Sequence, residues 1–254
     1  SHARVLKAML KRDAGAAGSE LARVEGRHRN VAGNSLRAAV LGANDGLCSN
    51  LALVVGVAGA TTSSHAILVT GVAGLLAGAC SMALGEWVSV TSSRELAERE
   101  LRVERDELAA APEEEREELQ LIYEAKGVPK DEAKQLSNRL LGDRGAALDV
   151  LAREELGIDP GELGGSARVA AVTSFLLFAF GAVFPVIPYL ITGGTAALVA
   201  SIAASAVMLF VIGAAITLFT GRPVWISGGR QTLLGLAAAG LTFGLGSLLG
   251  TTLG

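Results

Sequence analysis

Aromatic residues are scarce in this chain, at two Trp, two Tyr and seven Phe, and so are three His and two Cys, the residues that most often build zinc chemistry. Two cysteines do not make a disulfide framework, and Cys48 and Cys80 both fall in apolar segments where a small side chain packs well. No G-x-x-x-x-G-K-[ST] phosphate loop occurs in the chain, so ATP-driven pumping has no support. The scarcest feature is charge over long stretches. No Asp, Glu, Lys or Arg lies between Asp45 and Glu86, between Arg168 and Arg222, or after Arg230.

Those gaps hold apolar sequence. Half of the 254 residues are hydrophobic and the mean hydropathy is +0.45, too oily for an ordinary soluble domain. A helix needs about 20 apolar residues to cross the hydrocarbon of a bilayer, because unpaired backbone groups cannot face lipid. Five segments qualify, at about 36–60, 66–92, 167–190, 194–220 and 228–252. The pairs Gly42/Gly46, Gly74/Gly78, Gly240/Gly244 and Gly246/Gly250 put small residues one turn apart, a spacing that lets helix backbones approach closely.

Orientation follows from the cationic flanks. Residues 1–35 form a basic arm, and Arg4, Lys7, Lys11, Arg12, Arg23, Arg27, Arg29 and Arg37 stand before or at the first span, whereas the turns near 61–65 and 189–194 carry no Lys or Arg. Positive residues stay on the cytoplasmic side, so the N-terminus and the segment after the second span are expected there. The first thirty residues are too polar for a cleavable signal peptide. Beside a membrane span, the arm is a topology signal and a surface for anionic lipid rather than for nucleic acid.

Residues 93–166 are a different kind of sequence, with twenty of the twenty-five acids against eleven Lys and Arg. The run SSRELAERELRVERDELAAA has no helix breaker, Pro112 and Pro129 each restart a helix, and GDRGAALDVLAREELG ends one at Gly157. Three or four short helices are expected. Glu104 and Glu107 stand at i,i+3, as do Glu115 and Glu118, so each pair projects from one face. Two such helices folded together bring four oxygen donors to one place, and Glu154 and Glu155 on the last helix add to them. All-oxygen donors suit Fe²⁺, Mn²⁺ or Mg²⁺. Glu-rich helices interspersed with Arg are equally at home as solvated faces.

The stretch GANDGLCSN carries Asp45 into the first apolar segment. At about 1.5 Å per residue from the outer ends of spans 1 and 2, Asp45 lies roughly 22 Å deep and Met82 roughly 24 Å deep. They fall at one level. Glu86 is one turn beyond Met82, and Ser49 one turn outward of Asp45, so the two helices can share a polar stripe. A carboxylate at such depth costs about 2.5–3.5 kcal/mol and marks a cavity, a partner or an ion path. No Lys or Arg lies within the spans to pair with it, so it is either protonated or meets a cation. Alternation between those states is what a metal/proton exchanger needs, and the methionine sulfur favours a softer transition ion.

The motifs LRAAVLGANDGL and LLAGACSMALGEWVSV, followed by an acidic insert and three further spans, resemble the vacuolar iron transporter family from Leu36 onward. The resemblance implies an all-α integral membrane protein of five transmembrane helices, spans 1–2 in 36–92 and spans 3–5 in 167–254, with a cytoplasmic helical metal-binding insert between helices 2 and 3. It implies a homodimer with the ion path between subunits, lined by Asp45 and Met82 with Glu86 nearby. It also implies metal binding by Glu104, Glu107, Glu115 and Glu118 with Glu155, or next Glu154. Plant members carry methionines just before the last insert glutamate, where this chain has Leu151 and Ala152. Some bacterial relatives carry a ferritin-like domain ahead of the module, and a start at Ser1-His2 leaves room for one.

The expected function is proton-coupled export of Fe²⁺ from the cytoplasm, with Mn²⁺, Co²⁺ or Zn²⁺ as further cargo. Its Ala- and Gly-rich composition favours a bacterial cell membrane; in a plant or fungus the place is the vacuolar membrane. The alternatives are a membrane-bound di-iron carboxylate oxidase, disfavoured because His2, His28 and His65 all lie outside the insert, and a metal sensor.

Overall fold

The computed structural model describes residues 17–162 and 165–253, without the side chains of residues 17–38, 144, 162, 218, 219, 252 and 253. Arg4, Lys7, Lys11 and Arg12 of the basic arm lie outside the described residues. All regular structure among the described residues is helical: α1 (Ala17–Ala60), α2 (Ser64–Ala110), α3 (Pro112–Ala125), α4 (Lys130–Leu140), α5 (Arg144–Glu154), a 3₁₀ turn (Pro160–Glu162), α6 (Ala167–Val183), α7 (Ile187–Ile191), α8 (Gly194–Thr220) and α9 (Val224–Leu253). The described residues divide into two compact units, one of 89–166 with 17–30, the other of 31–88 with 167–253.

In the apolar unit, four helices are long and apolar enough to cross a membrane, within Ala39–Ala60, Ser64–Ala110, Gly194–Thr217 and Val224–Thr251. The expected third span, 167–190, differs. It is a 17-residue apolar helix, α6, followed by the short α7. The cause is Pro185 and Pro188, which lack the N–H a helix needs. The chain between them tightens into i→i−3 bonds, with Phe184 N–H donating to Gly181 O at 3.4 Å, Val186 to Val183 at 3.0 Å and Tyr189 to Val186 at 3.0 Å. The freed Pro185 carbonyl is not wasted, since it accepts from buried Ser201 Oγ at 2.7 Å.

Helix α1 shows how the sequence orients its faces. Ala43, Leu47 and Leu51 recur every fourth residue and are buried with Val55 against Leu209 and Ile212 of α8 and Ala239 of α9. Leu41, Asp45, Ser49 and Leu53 recur with the same spacing along another stripe, and all four are exposed. Close approach depends on missing side chains. A Cβ at Gly246 of α9 would lie 1.9 Å from Gly56 O, and one at Gly46 would lie 2.1 Å from Phe178 O, whereas Gly240 and Gly244 have open space. Helix α9 begins at Val224, earlier than the expected 228, because the Pro223 carbonyl caps it by accepting from Ile226 and Ser227. Arg230 is therefore helical.

In the acidic unit, the expected border at residue 93 is not a helix end, since α2 runs unbroken to Ala110. Ala111, at φ −138° and ψ 58°, turns the chain in one residue, and Pro112 starts α3 with Glu113, Glu114 and Glu115 in its first turn. Asp143 caps α5 by accepting from Gly145 N–H at 2.9 Å. Gly127 at φ +91° and Gly157 at φ +66° take the left-handed turns that follow α3 and α5. Leu119, Leu141, Ala147 and Leu151 form the core, with Leu108, Tyr123, Leu140 and Val150 packed on it.

Candidate metal sites

The acidic unit gathers carboxylates in its interior. The one-residue turn at Ala111 sets the Glu104 face of α2 against the Glu115 face of α3, and Glu155 is held at the end of α5 by its N–H bond to Leu151 O at 2.8 Å. Glu104, Glu115 and Glu118 are only 3%, 6% and 7% exposed, a depth at which carboxylates are rare without a compensating partner. One carboxylate oxygen each from Glu104, Glu115 and Glu155 lies within 4.8 Å of the others. Two oxygens each about 2.1 Å from one ion can stand at most about 4.2 Å apart. Small side-chain shifts therefore bring these three onto a single divalent cation.

The electrostatics point the same way. Glu104 is pushed up to about 8, first by burial, then by the charges of Glu155, Glu115 and Glu107 and a hydrogen bond with Glu115. Glu115 is raised by burial and by Glu118 and Glu107, partly offset by that same bond. Among the described residues, Glu104 and Glu115 have no ion pair with Lys or Arg, and Glu104 Oε1 is buried with no hydrogen-bond partner. Glu155 also sits at the negative end of the α5 dipole, which disfavours a bare carboxylate and favours a cation beside it. The site is stable with protons or with a cation, and poor with neither.

Of the other expected ligands, Glu107 is exposed at the rim, close enough for its charge to act on Glu104 and Glu115. Glu154 is turned elsewhere. It pairs with Lys126, whose ammonium lies 5.5 Å from the Tyr123 ring centre; burial first, then the charge and hydrogen bond of Glu154, push the half-buried Tyr123 hydroxyl up to about 12. Asp159 is held by Arg153 at 2.9 Å.

The apolar unit holds a cavity of about 300 Å³ lined by Asp45, Ser49, Asn50 and Leu53 of α1, Gly74, Gly78, Ser81 and Met82 of α2, and Phe178 of α6. Asp45, Ser49 and Met82 are thus brought to one place. Glu86, exposed one turn further along α2, is not among its walls. Ser49 Oγ donates to Asp45 O at 2.6 Å, so its lone pairs face outward while its proton is held. Met82 is half-buried against Phe178, Ala79 and Ala182. Carboxylate, hydroxyl and thioether together offer a transition cation both hard and soft donors.

Two polar walls escaped the sequence reading. Asn50 is a polar residue in an apolar run, five places after Asp45, and it is overshadowed there by the charge; Ser81 precedes Met82. A signal for Asn50 exists in hindsight, since Asn is disfavoured in an apolar helix unless its amide is satisfied by a neighbour.

The VIT family model matches residues 36–247. A vacuolar iron transporter of Centaurea cyanus is 33% identical over 220 residues, covering 86% of this chain and 89% of its own. Vacuolar iron transporter 1 of Arabidopsis thaliana is 33% identical over 223 residues, 86% and 88% of the two chains. A vacuolar iron transporter of Acanthamoeba castellanii is 35% identical over 227 residues, 87% and 82%.

Proposed function

This chain belongs to the VIT family, and from that premise we propose that it is a secondary transporter that exports Fe²⁺ from the cytoplasm in exchange for protons. The relatives are named iron transporters, and the two sites supply the chemistry such a cycle needs. The carboxylates of Glu104, Glu115 and Glu155 collect the cation, assisted by Glu118 and Glu107. Asp45 and Met82 then carry it through the membrane, and Mn²⁺ or Co²⁺ are tolerated as cargo of similar charge and size.

The single observation that supports this reading most is the cavity that joins Asp45 to Met82 within an apolar helix pair. Asp45 lies on an exposed stripe of a segment that is otherwise fit for lipid. A carboxylate facing hydrocarbon costs about 2.5–3.5 kcal/mol. A second copy of the chain, seated on that stripe, removes the cost and closes the groove into a path; we therefore read the protein as a homodimer. The α6–α7 segment, broken at its prolines but 25 residues long from Ala167 to Ile191, serves as the fifth membrane crossing. By the positive-inside rule, we read the N-terminus and the insert as cytoplasmic.

Purified protein in liposomes carrying a metal-quenched dye tests the reading. Fe²⁺ or Mn²⁺ added on the insert side is expected to enter, and Asp45→Ala to abolish entry while the variant still binds metal. Equal entry in wild type and Asp45→Ala would remove that residue from the path.

A further inference from the structure

Asn50 is 2% exposed at the level of the membrane cavity, and its side chain is gripped from one end only. Nδ2 donates to Gly71 O of α2 at 3.1 Å and to Ala182 O of α6 at 2.7 Å. Both partners are carbonyls, so the amide has one workable orientation, with N–H₂ toward them and the carbonyl oxygen turned away. Among the described residues that oxygen, Oδ1, has no hydrogen-bond partner. It faces Gly74, another wall of the cavity: a Cβ placed there would lie 2.7 Å from Oδ1 and 2.3 Å from Leu53 Cδ2. The space left by the missing side chain is what separates the oxygen from the flexible tip of Leu53.

A buried carbonyl with no donor costs free energy, and the pairing of its NH₂ with two neighbouring helices fixes it in place. An oxygen locked in orientation by its own amide, and unable to be protonated, is a cation ligand of constant charge. Resting on the reading of Asp45 and Met82 as a metal path, we infer that Asn50 Oδ1 is a further cation-coordinating oxygen of that path, reached when the Leu53 tip swings off the Gly74 gap. Asp45 changes charge as protons exchange; Asn50 does not. Its carbonyl adds a donor for a partly dehydrated cation deeper than Asp45 without adding a second charge to trap it.

The test is Gly74→Ala in the liposome flux assay, beside wild type and Asp45→Ala. The new methyl would lie 2.7 Å from Oδ1 and 2.3 Å from Leu53 Cδ2, so it covers the oxygen while both the Leu53 tip and the Asn50 amide give way. The KM for Mn²⁺ is expected to rise by about tenfold, the scale of losing support at a metal site, in a variant that still folds. An unchanged KM in a variant that folds would overturn the role of Asn50 while leaving the metal path standing. Absence of flux in wild type overturns the path and the inference with it. Asn50→Cys supplies a second readout: a ligand role moves the metal ranking toward Cd²⁺ over Mn²⁺ by about tenfold, since sulfur prefers the softer ion. A side chain that only ties helices together lowers flux for both metals alike, and that result would refute the inference.

Discussion

Replacing Glu104 by Gln should stabilise the metal-free protein and, at the same time, abolish its response to metal. Glu104 ionises at about 8 when folded, against an ordinary value of 4.5. A raised carboxylate binds its proton more tightly in the folded than in the unfolded chain. The stability it offers is greatest at or below pH 4.5 and is lost as pH rises toward 8. At pH 7 the gap between 4.5 and 7 corresponds to about 3 kcal/mol of cost from keeping this group protonated. Gln is neutral, nearly isosteric and able to keep a hydrogen bond to Glu115, so it removes that cost. Circular dichroism melts of the detergent-solubilised chain at pH 6, 7 and 8, with and without Mn²⁺, read the effect. Wild type should lose about 2 kcal/mol between pH 6 and 8, and Glu104→Gln should flatten that slope and raise Tm at pH 8 by several degrees. Mn²⁺ should raise the wild-type Tm and leave the variant unmoved. A variant less stable at pH 8, or one that metal still stabilises as well as wild type, refutes a cation site built on a buried, uncompensated carboxylate.

Glu155→Gln should weaken Mn²⁺ binding by roughly 10–100-fold, whereas Glu154→Gln, which breaks the partly exposed pair with Lys126 and leaves a neutral partner for Tyr123, should change it little and cost about 1 kcal/mol; isothermal titration separates the two. Gly246→Ala forces a Cβ to within 1.9 Å of Gly56 O and should lower Tm through the parting of α1 and α9, by about 1–3 kcal/mol of overpacking. Gly240→Ala meets nothing within 4 Å and should be neutral or gain up to about 1 kcal/mol from helix propensity. Glu86→Gln, outside the cavity walls, should leave the KM for Mn²⁺ within about twofold of wild type, well short of the roughly tenfold loss that removing a metal-site partner brings.

The apolar spans and the helical insert were legible because charge is absent over long runs and because prolines and glycines punctuate the acidic block. The i,i+3 rule placed Glu104 with Glu107 and Glu115 with Glu118, yet it could not tell which of each pair faces inward. That is decided by tertiary packing: Leu108 and Leu119 on the core side of their helices carry Glu104, Glu115 and Glu118 in and leave Glu107 at the rim. Glu154 and Glu155 are adjacent, so they point in different directions, and only the position of Lys126 across the fold shows which one is taken. The break at Pro185 and Pro188 could be read from the chain, but hydropathy averages over it. Asn50 was hidden because its importance lies in two backbone carbonyls far away in sequence, Gly71 and Ala182. That Asp45, Ser49 and Met82 share a level was legible because depth along two neighbouring apolar helices is a matter of counting.

The central claim is that the carboxylate in the membrane cavity exchanges a metal ion for protons. Liposomes holding a pH dye, with Mn²⁺ added on the insert side, test it directly. Protons should leave the lumen as metal enters, so the lumen turns alkaline in step with metal uptake, and both signals should vanish in Asp45→Ala. Metal entry with no change in lumenal pH, or alkalinisation that persists in Asp45→Ala, would contradict it.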